Sequence, residues 1–337
     1  MVPDSFLHNL VDLHIHLGSA STPHFLWELA HDQGIRLAEK DYQKFIDSVI
    51  IRNKTDYQGY LNYFHLTELI QSSPYGVEKA THNAISNAYR KSDVSTIEIR
   101  FCPMFRNKGG EQDLDKIIFS ALVGMKKAMI EYPVRAGLIL MMDRRLDTKL
   151  NAIIAEKASL FRNEGVVGLD IAGPIETPLN VDGLIQPVEQ AKAAGLKITI
   201  HTGEVTSVEE MWEVVNKLKP DRIGHGIQAV KDQRLLDHIR EHSIVLELCP
   251  TSNLSTKAVK SWQEMKHIIT VLKQNSILFT INSDGPELLQ TNVKQELLKL
   301  YKHNILSLEE IQKTIETAKK YSFITNSQKE LYENISP

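Results

Sequence analysis

The 337-residue sequence predicts an α/β fold, a (β/α)8 TIM-type barrel with extra helices after strand 1 and at the C-terminus. Three observations lead there. Eight short apolar runs alternate with stretches of helical periodicity, as parallel strands with helical crossovers require. No Pro/Gly/Ser-rich linker divides the chain, which favours a single barrel domain over residues 1–337. Histidines and carboxylates gather at the ends of the apolar runs, where a barrel carries its chemistry.

Taken in order, the strands are read at 10–17, 95–102, 134–141, 166–171, 196–201, 222–225, 244–248 and 277–282. Helical spacing marks 114–132, 152–163, 185–194, 208–218, 232–242 and 261–274, with glycine after several of them. Residues 22–92 hold several helices between strands 1 and 2. An insertion there sits at the catalytic end and is placed to form a lid. Residues 286–335 add helices after strand 8.

Bulk properties narrow the function class. The apolar fraction of 42% and charged fraction of 24% are ordinary for a globular chain. A formal net charge of −3 gives no electrostatic case for nucleic acid. Two cysteines, Cys102 and Cys249, do not make a disulfide framework and fit a reducing compartment. The start, MVPDSFLHNL, lacks the basic and apolar regions of a signal peptide, and no apolar run is long enough to span a membrane. The expectation is a soluble cytoplasmic protein with a small-molecule substrate and no nucleic-acid or membrane partner.

The strand ends carry the specific signal. Strand 1 closes on His14-Ile15-His16, and side chains two apart on a strand share a face. In strand 5 the apolar Ile198 and Ile200 take the helix side, which turns Thr199 and His201 inward, and Glu204 follows on the loop. Strand 6 ends on His225 between Gly224 and Gly226. Strand 8 sets Thr280, Asn282 and Asp284 on one face, with Asp284 at the tip. Imidazole nitrogen and carboxylate oxygen suit zinc, so His14, His16, His201 and Asp284 are candidate ligands with room left for a water. Zinc lowers the pKa of such a water to near neutrality. By the same alternation Glu98, Arg100 and Glu247 point inward and are read as a buried ion-pair layer.

The segments LHIHL at 13–17, GLDIAG at 168–173, HTGE at 201–204, RIGHG at 222–226, CPTSN at 249–253 and NSDGP at 282–286 resemble the adenosine deaminase family of the amidohydrolases. The resemblance covers most of the barrel, in order and spacing. It implies that His14, His16, His201 and Asp284 hold one zinc ion per chain. It implies that Glu204 shuttles a proton to the ring nitrogen under attack, and that His225 orients and supports the nucleophile. It also implies that His16 and the backbone N–H of Gly173 face the substrate. Strand 4 ends without the lysine that bridges two metals in binuclear relatives, which points to one metal.

The chain departs from that family at substrate contacts. An aspartate that meets the purine five-membered ring is Gly285 here, and one that meets the ribose is Gly18. Pro174-Ile175 replaces the usual acidic pair after Gly173. Either the substrate differs, or Ser19, Ser21 or Thr22 recognises the hydroxyls. Arg52 and Lys54 are candidates to meet a phosphate, and Tyr60, Leu61 and Phe64 resemble the family's hydrophobic gate. The reading is a zinc-dependent deaminase of an aminopurine nucleoside, nucleotide or related amino-nucleobase that releases ammonia. The alternatives are a mononuclear zinc amidohydrolase acting on another C–N bond and a catalytically silent nucleoside-binding barrel.

Overall fold

In the computed structural model, residues 7–324 are described. The expected helical residues beyond 324 lie outside that range. Eight parallel strands form one sheet in sequential order: β1 (Leu10–His16), β2 (Val94–Phe101), β3 (Arg135–Asp143), β4 (Val166–Ala172), β5 (Lys197–Thr202), β6 (Arg222–His225), β7 (Val245–Leu248) and β8 (Phe279–Ile281). Closure comes just past β8. The N–H of Asp284 donates to the carbonyl of His14 at 2.8 Å, and the N–H of His16 donates to the carbonyl of Asp284 at 2.9 Å.

Four helices fill the insertion after β1: α1 (Pro23–Asp32), α2 (Tyr42–Val49), α3 (Tyr57–Ile70) and α4 (Pro74–Ser92). Local chemistry explains their starts. Thr22, Asp41, Asp56 and Ser73 each accept a backbone N–H at the N-terminus of their helix, and Pro23 and Pro74 occupy first positions where no N–H is needed. The remaining helices are α5 (Leu114–Glu131), α6 (Thr148–Leu160), α7 (Val181–Ala193), α8 (Val208–Glu213), α9 (Gln233–Glu241), α10 (Pro250–Ser255), α11 (Trp262–Gln274), α12 (Val293–Lys302) and α13 (Leu308–Tyr321).

Boundaries differ from the sequence reading in instructive places. Helix α7 begins at Val181, four residues earlier than expected, because Asn180 caps it through the Gly183 N–H at 3.1 Å. Pro187 is therefore interior to the helix rather than in its first turn. Strand β3 runs on to Asp143, which puts an acidic side chain at the mouth of the barrel. No helix among the described residues is long and apolar enough to cross a membrane.

The apolar core fills the space between strands and helices, with Leu138, Leu169, Ile198 and Ile223 fully buried in it. The barrel interior is polar instead. Glu98, Arg100, Arg222 and Glu247 are all fully buried there.

Candidate active site

Barrel closure assembles the first group. The two backbone bonds between Asp284 and β1 bring its side chain beside His14 and His16. Asp284 adopts φ +59°, a left-handed conformation that a non-glycine residue takes at a cost and often at functional sites. His201 reaches in from β5. Its Nε2 lies 3.0 Å from His14 Nε2 and 3.1 Å from His16 Nε2. Asp284 Oδ1 lies 3.5 Å from His16 Nε2 and 3.8 Å from His14 Nε2.

This donor set fits a divalent metal. His201 Nε2 lies slightly closer to the other two ring nitrogens than ligands on a shared tetrahedral ion lie to one another, since bonds of about 2.0–2.1 Å set them about 3.3 Å apart. Burial, then the Arg100 charge, holds His14 well below the usual imidazole range. Burial, then His201, does the same for His16. Both are therefore neutral at pH 7, the form that ligates. Cys249 lies within reach of His14, His225 and Asp284. Burial pushes its thiol well up, so it keeps its proton and is a poor ligand.

A carboxylate stands behind each of two histidines. Glu247 Oε2 is 2.6 Å from His14 Nδ1, and Asp170 Oδ1 is 3.0 Å from His201 Nδ1. Each bond places the ring proton on Nδ1 and leaves Nε2 facing the centre. The expected buried ion-pair layer supplies these carboxylates and extends further than the sequence indicated. Arg100 bridges Asp170 at 3.0 Å and Glu247 at 2.9 Å, while Arg222 pairs with Glu247 at 2.6 Å and Glu98 at 2.5 Å. Burial acts to raise Glu247, but Arg100 and Arg222 outweigh it and hold the carboxyl low.

The second group joins Glu204 and His225. His225 ends β6 at φ +61°, and Gly203 at φ +68° turns the chain before Glu204. Glu204 Oε1 accepts from Asn253 Nδ2 at 3.0 Å and Thr256 Oγ1 at 3.1 Å. Burial raises its carboxyl, and those two donors only partly oppose the shift. Asn253 Nδ2 also lies 3.0 Å from His225 Nδ1. Burial pushes His225 down to about 4, so the ring is neutral. With Nδ1 accepting from Asn253, the proton sits on Nε2, which lies 3.7 Å from Glu204 Oε2 and 3.9 Å from Asp284 Oδ2. Asn253 and Thr256 were not singled out from the sequence. The CPTSN segment was the available signal, since α10 carries it to the barrel mouth.

A cavity of about 390 Å³ opens over both groups, within the about 300–1,000 Å³ typical of small-molecule sites. His16, Gly173, His201, Glu204, His225 and Asp284 line it. Helix α3 contributes Tyr57, Tyr60, Leu61, Phe64 and Glu68, so the insertion does cover the site. Gly173 has φ +119°, and a Cβ there would fall 2.8 Å from Asp143 Oδ1.

The two substrate-side glycines are crowded by α3. A Cβ on Gly18 would lie 3.1 Å from Glu68 Cγ and 3.3 Å from Arg106 Nη2. One on Gly285 would lie 3.1 Å from both the Tyr60 hydroxyl and Ser19 Oγ. Gly285 itself is not part of the wall.

Other expectations need correction. Arg52 pairs with Asp47 on the surface, and Lys54 Nζ donates to the Lys260 carbonyl; neither lines the cavity. The wall's cations besides Arg100 are Arg106, Lys108 and Arg145. Ser19, Ser21 and Thr22 are likewise outside the wall. Ser19 donates to the His16 carbonyl at 3.0 Å, and Thr22 is spent capping α1.

Known proteins resemble the chain in sequence and in fold. An adenosine deaminase from Shewanella woodyi is 32% identical over 303 residues, 89% of each chain. An adenine deaminase from Arthrobacter aurescens superposes with a TM-score of 0.84 at 19% identity, covering 97% of this chain and 98% of its own. The arabidopsis N6-mAMP deaminase superposes with a TM-score of 0.82 at 22% identity, covering 98% of each chain. The profile described as adenosine deaminase matches residues 9–336, and the chain belongs to the adenosine deaminase family.

Proposed function

We propose that this protein is a hydrolytic deaminase of aminopurine nucleosides or nucleotides, and that His14, His16, His201 and Asp284 hold one zinc ion. The observation that carries the reading is a carboxyl with a raised pKa, Glu204, set beside a neutral histidine and next to the ligand cluster. Zinc bound there supplies a water that ionises near neutral pH.

The protein's residues supply the rest. Attack on the ring carbon bearing the amino group breaks aromaticity and drives charge onto the adjacent ring nitrogen. Glu204, protonated at that stage, delivers its proton to that nitrogen and neutralises the charge as it forms, an effect worth about 10²–10⁴-fold. His225 donates from Nε2 to the entering oxygen and fixes its direction of approach. The backbone N–H of Gly173 meets a second ring nitrogen. Water is consumed, the C–N bond breaks and ammonia leaves.

The substrate's sugar end meets Gly18 where the family resemblance implies an aspartate. Glu68 stands over Gly18, held by Arg106 at 3.2 Å, and offers an acceptor for a ribose hydroxyl. A 5′-phosphate is the second reading. Arg106, Lys108 and Arg145 outnumber Glu68 and Asp143 in that part of the wall, and the name of the arabidopsis neighbour indicates a nucleotide substrate.

Release of ammonia from adenine, adenosine and its 5′-phosphate, and of the corresponding amine from N6-substituted forms, tests the proposal, with zinc content measured in parallel. Turnover of one member, abolished in Glu204→Gln with zinc still bound, is expected. Silence of zinc-loaded protein across that panel would overturn it.

A further inference from the structure

Tyr60 is only 5% exposed, yet its hydroxyl makes no well-formed hydrogen bond within the protein. Ser252 is close enough to influence both Tyr60 and Asp284, but its own hydroxyl is also without a well-formed bond. A buried polar group left unpaired keeps its full desolvation cost, so such groups are rare without a reason. The ring is firmly held. It packs against Phe64 with centroids 5.1 Å apart and belongs to a cluster with Ile51, Leu288 and Leu289. Tyr60 therefore presents a fixed hydroxyl to the cavity it lines.

That hydroxyl occupies the space beside Gly285. A side chain at 285 would begin 3.1 Å from it, so the glycine is what admits Tyr60 next to Asp284. A phenol with an ordinary pKa near 10 is neutral at pH 7 and has a proton to give. Ser252 bears on Tyr60 as a donor, which leaves the phenol's own proton without a bonded acceptor.

We infer that the Tyr60 hydroxyl donates a hydrogen bond to the acceptor nitrogen of the purine's five-membered ring, N7, an assignment that rests on the aminopurine reading above. A purine places two acceptor nitrogens near its reacting carbon. N1 is bonded to that carbon and is served by Glu204. N7 lies on the other side, across one ring carbon, and N3 faces away. A donor beside Asp284, at the ligand cluster, meets N7. Tyr60 is thus a specificity-determining residue that selects fused-ring substrates carrying this nitrogen.

The test pairs wild-type protein with Tyr60→Phe. The ligands are the aminopurine that wild type turns over and its 7-deaza counterpart, in which CH replaces N7, assayed as a competitive inhibitor. Wild type is expected to bind the 7-deaza compound roughly 5- to 30-fold more weakly than the purine, and Tyr60→Phe to lose a similar factor in kcat/KM. The variant should bind the two ligands alike. Tyr60→Phe that still discriminates against the 7-deaza ligand as wild type does would overturn the assignment, as would wild type that does not discriminate at all. Failure of wild type to release ammonia or the corresponding amine from any aminopurine would instead overturn the deaminase reading and this inference with it.

Discussion

Asn253 donates to Glu204 Oε1 at 3.0 Å, and the same amide nitrogen lies 3.0 Å from His225 Nδ1. One side chain thereby fixes the carboxyl and the imidazole relative to each other. Asn253 is a positioning residue that does not line the cavity. Asn253→Ala frees both partners, and displacements near 1 Å cost about 100-fold in rate. A fall of that order in kcat is expected. The asparagine also pulls the Glu204 pKa down, so its removal lets burial raise that carboxyl further. The ionisation of Glu204 in the pH–rate profile should therefore move to higher pH. A variant that is slower with an unmoved profile would assign Asn253 to packing alone.

Glu68 and Gly18 make a second testable pair. Glu68→Gln keeps an acceptor for Arg106 but loses the charge offered to a ribose hydroxyl. Hydrogen bonds to charged groups contribute about 1.5–3 kcal/mol, so kcat/KM for the nucleoside should drop roughly 10- to 100-fold. The free base should lose much less, because it has no hydroxyl to bind. Comparable losses on base and nucleoside would show that Glu68 acts through the position of α3.

The convergence of the barrel-mouth histidines was legible in the sequence because a strand's two-residue period fixes which side chains share a face. His14 with His16, and Thr199 with His201, could be turned inward by that rule alone, and the structure sets them so. Asn253, Thr256 and Glu68 were not legible for the same reason. They sit on helices and turns whose placement over the barrel depends on packing, not on a local period. Asp143 was missed at a boundary: the strand was read as ending at 141, two residues short of where β3 ends. Arg52 and Lys54 misled because the insertion was legible as helices, while the course of the connection between α2 and α3 that carries both residues was not.

Metal affinity should depend on pH in an unusual way. Two imidazoles at the ordinary pKa of about 6.5 would have to lose protons to ligate at pH 6, weakening binding roughly 10- to 20-fold relative to pH 8. His14 and His16 are already neutral there, because burial holds both well below that range. Zinc affinity measured by chelator competition is expected to be nearly flat in their contribution from pH 8 to 6. Asp284, raised by burial, should then bring affinity down as pH falls toward its pKa. A steep two-proton loss near pH 6.5 would contradict this arrangement. Glu247→Gln removes the carboxylate behind His14 and should weaken zinc about 10- to 100-fold at any pH in this range.

Glu204 carries a stability cost that follows from its catalytic poise. Its folded pKa is raised, so the folded apo-protein binds that proton more tightly than the unfolded chain does. The penalty for burying the carboxylate is therefore largest above the folded pKa. It shrinks as pH falls through that value and is gone below the ordinary carboxylate range near 4.3. Glu204→Gln keeps an oxygen to accept from Asn253 and Thr256 but carries no charge. The metal-free variant should melt above metal-free wild type at pH 7–8, with the gap closing toward pH 4, as scanning calorimetry would show. A variant that melts lower at pH 8, or by the same margin at every pH, would mean that the site does not strain this carboxylate. Its fitness as a proton donor would then need another source.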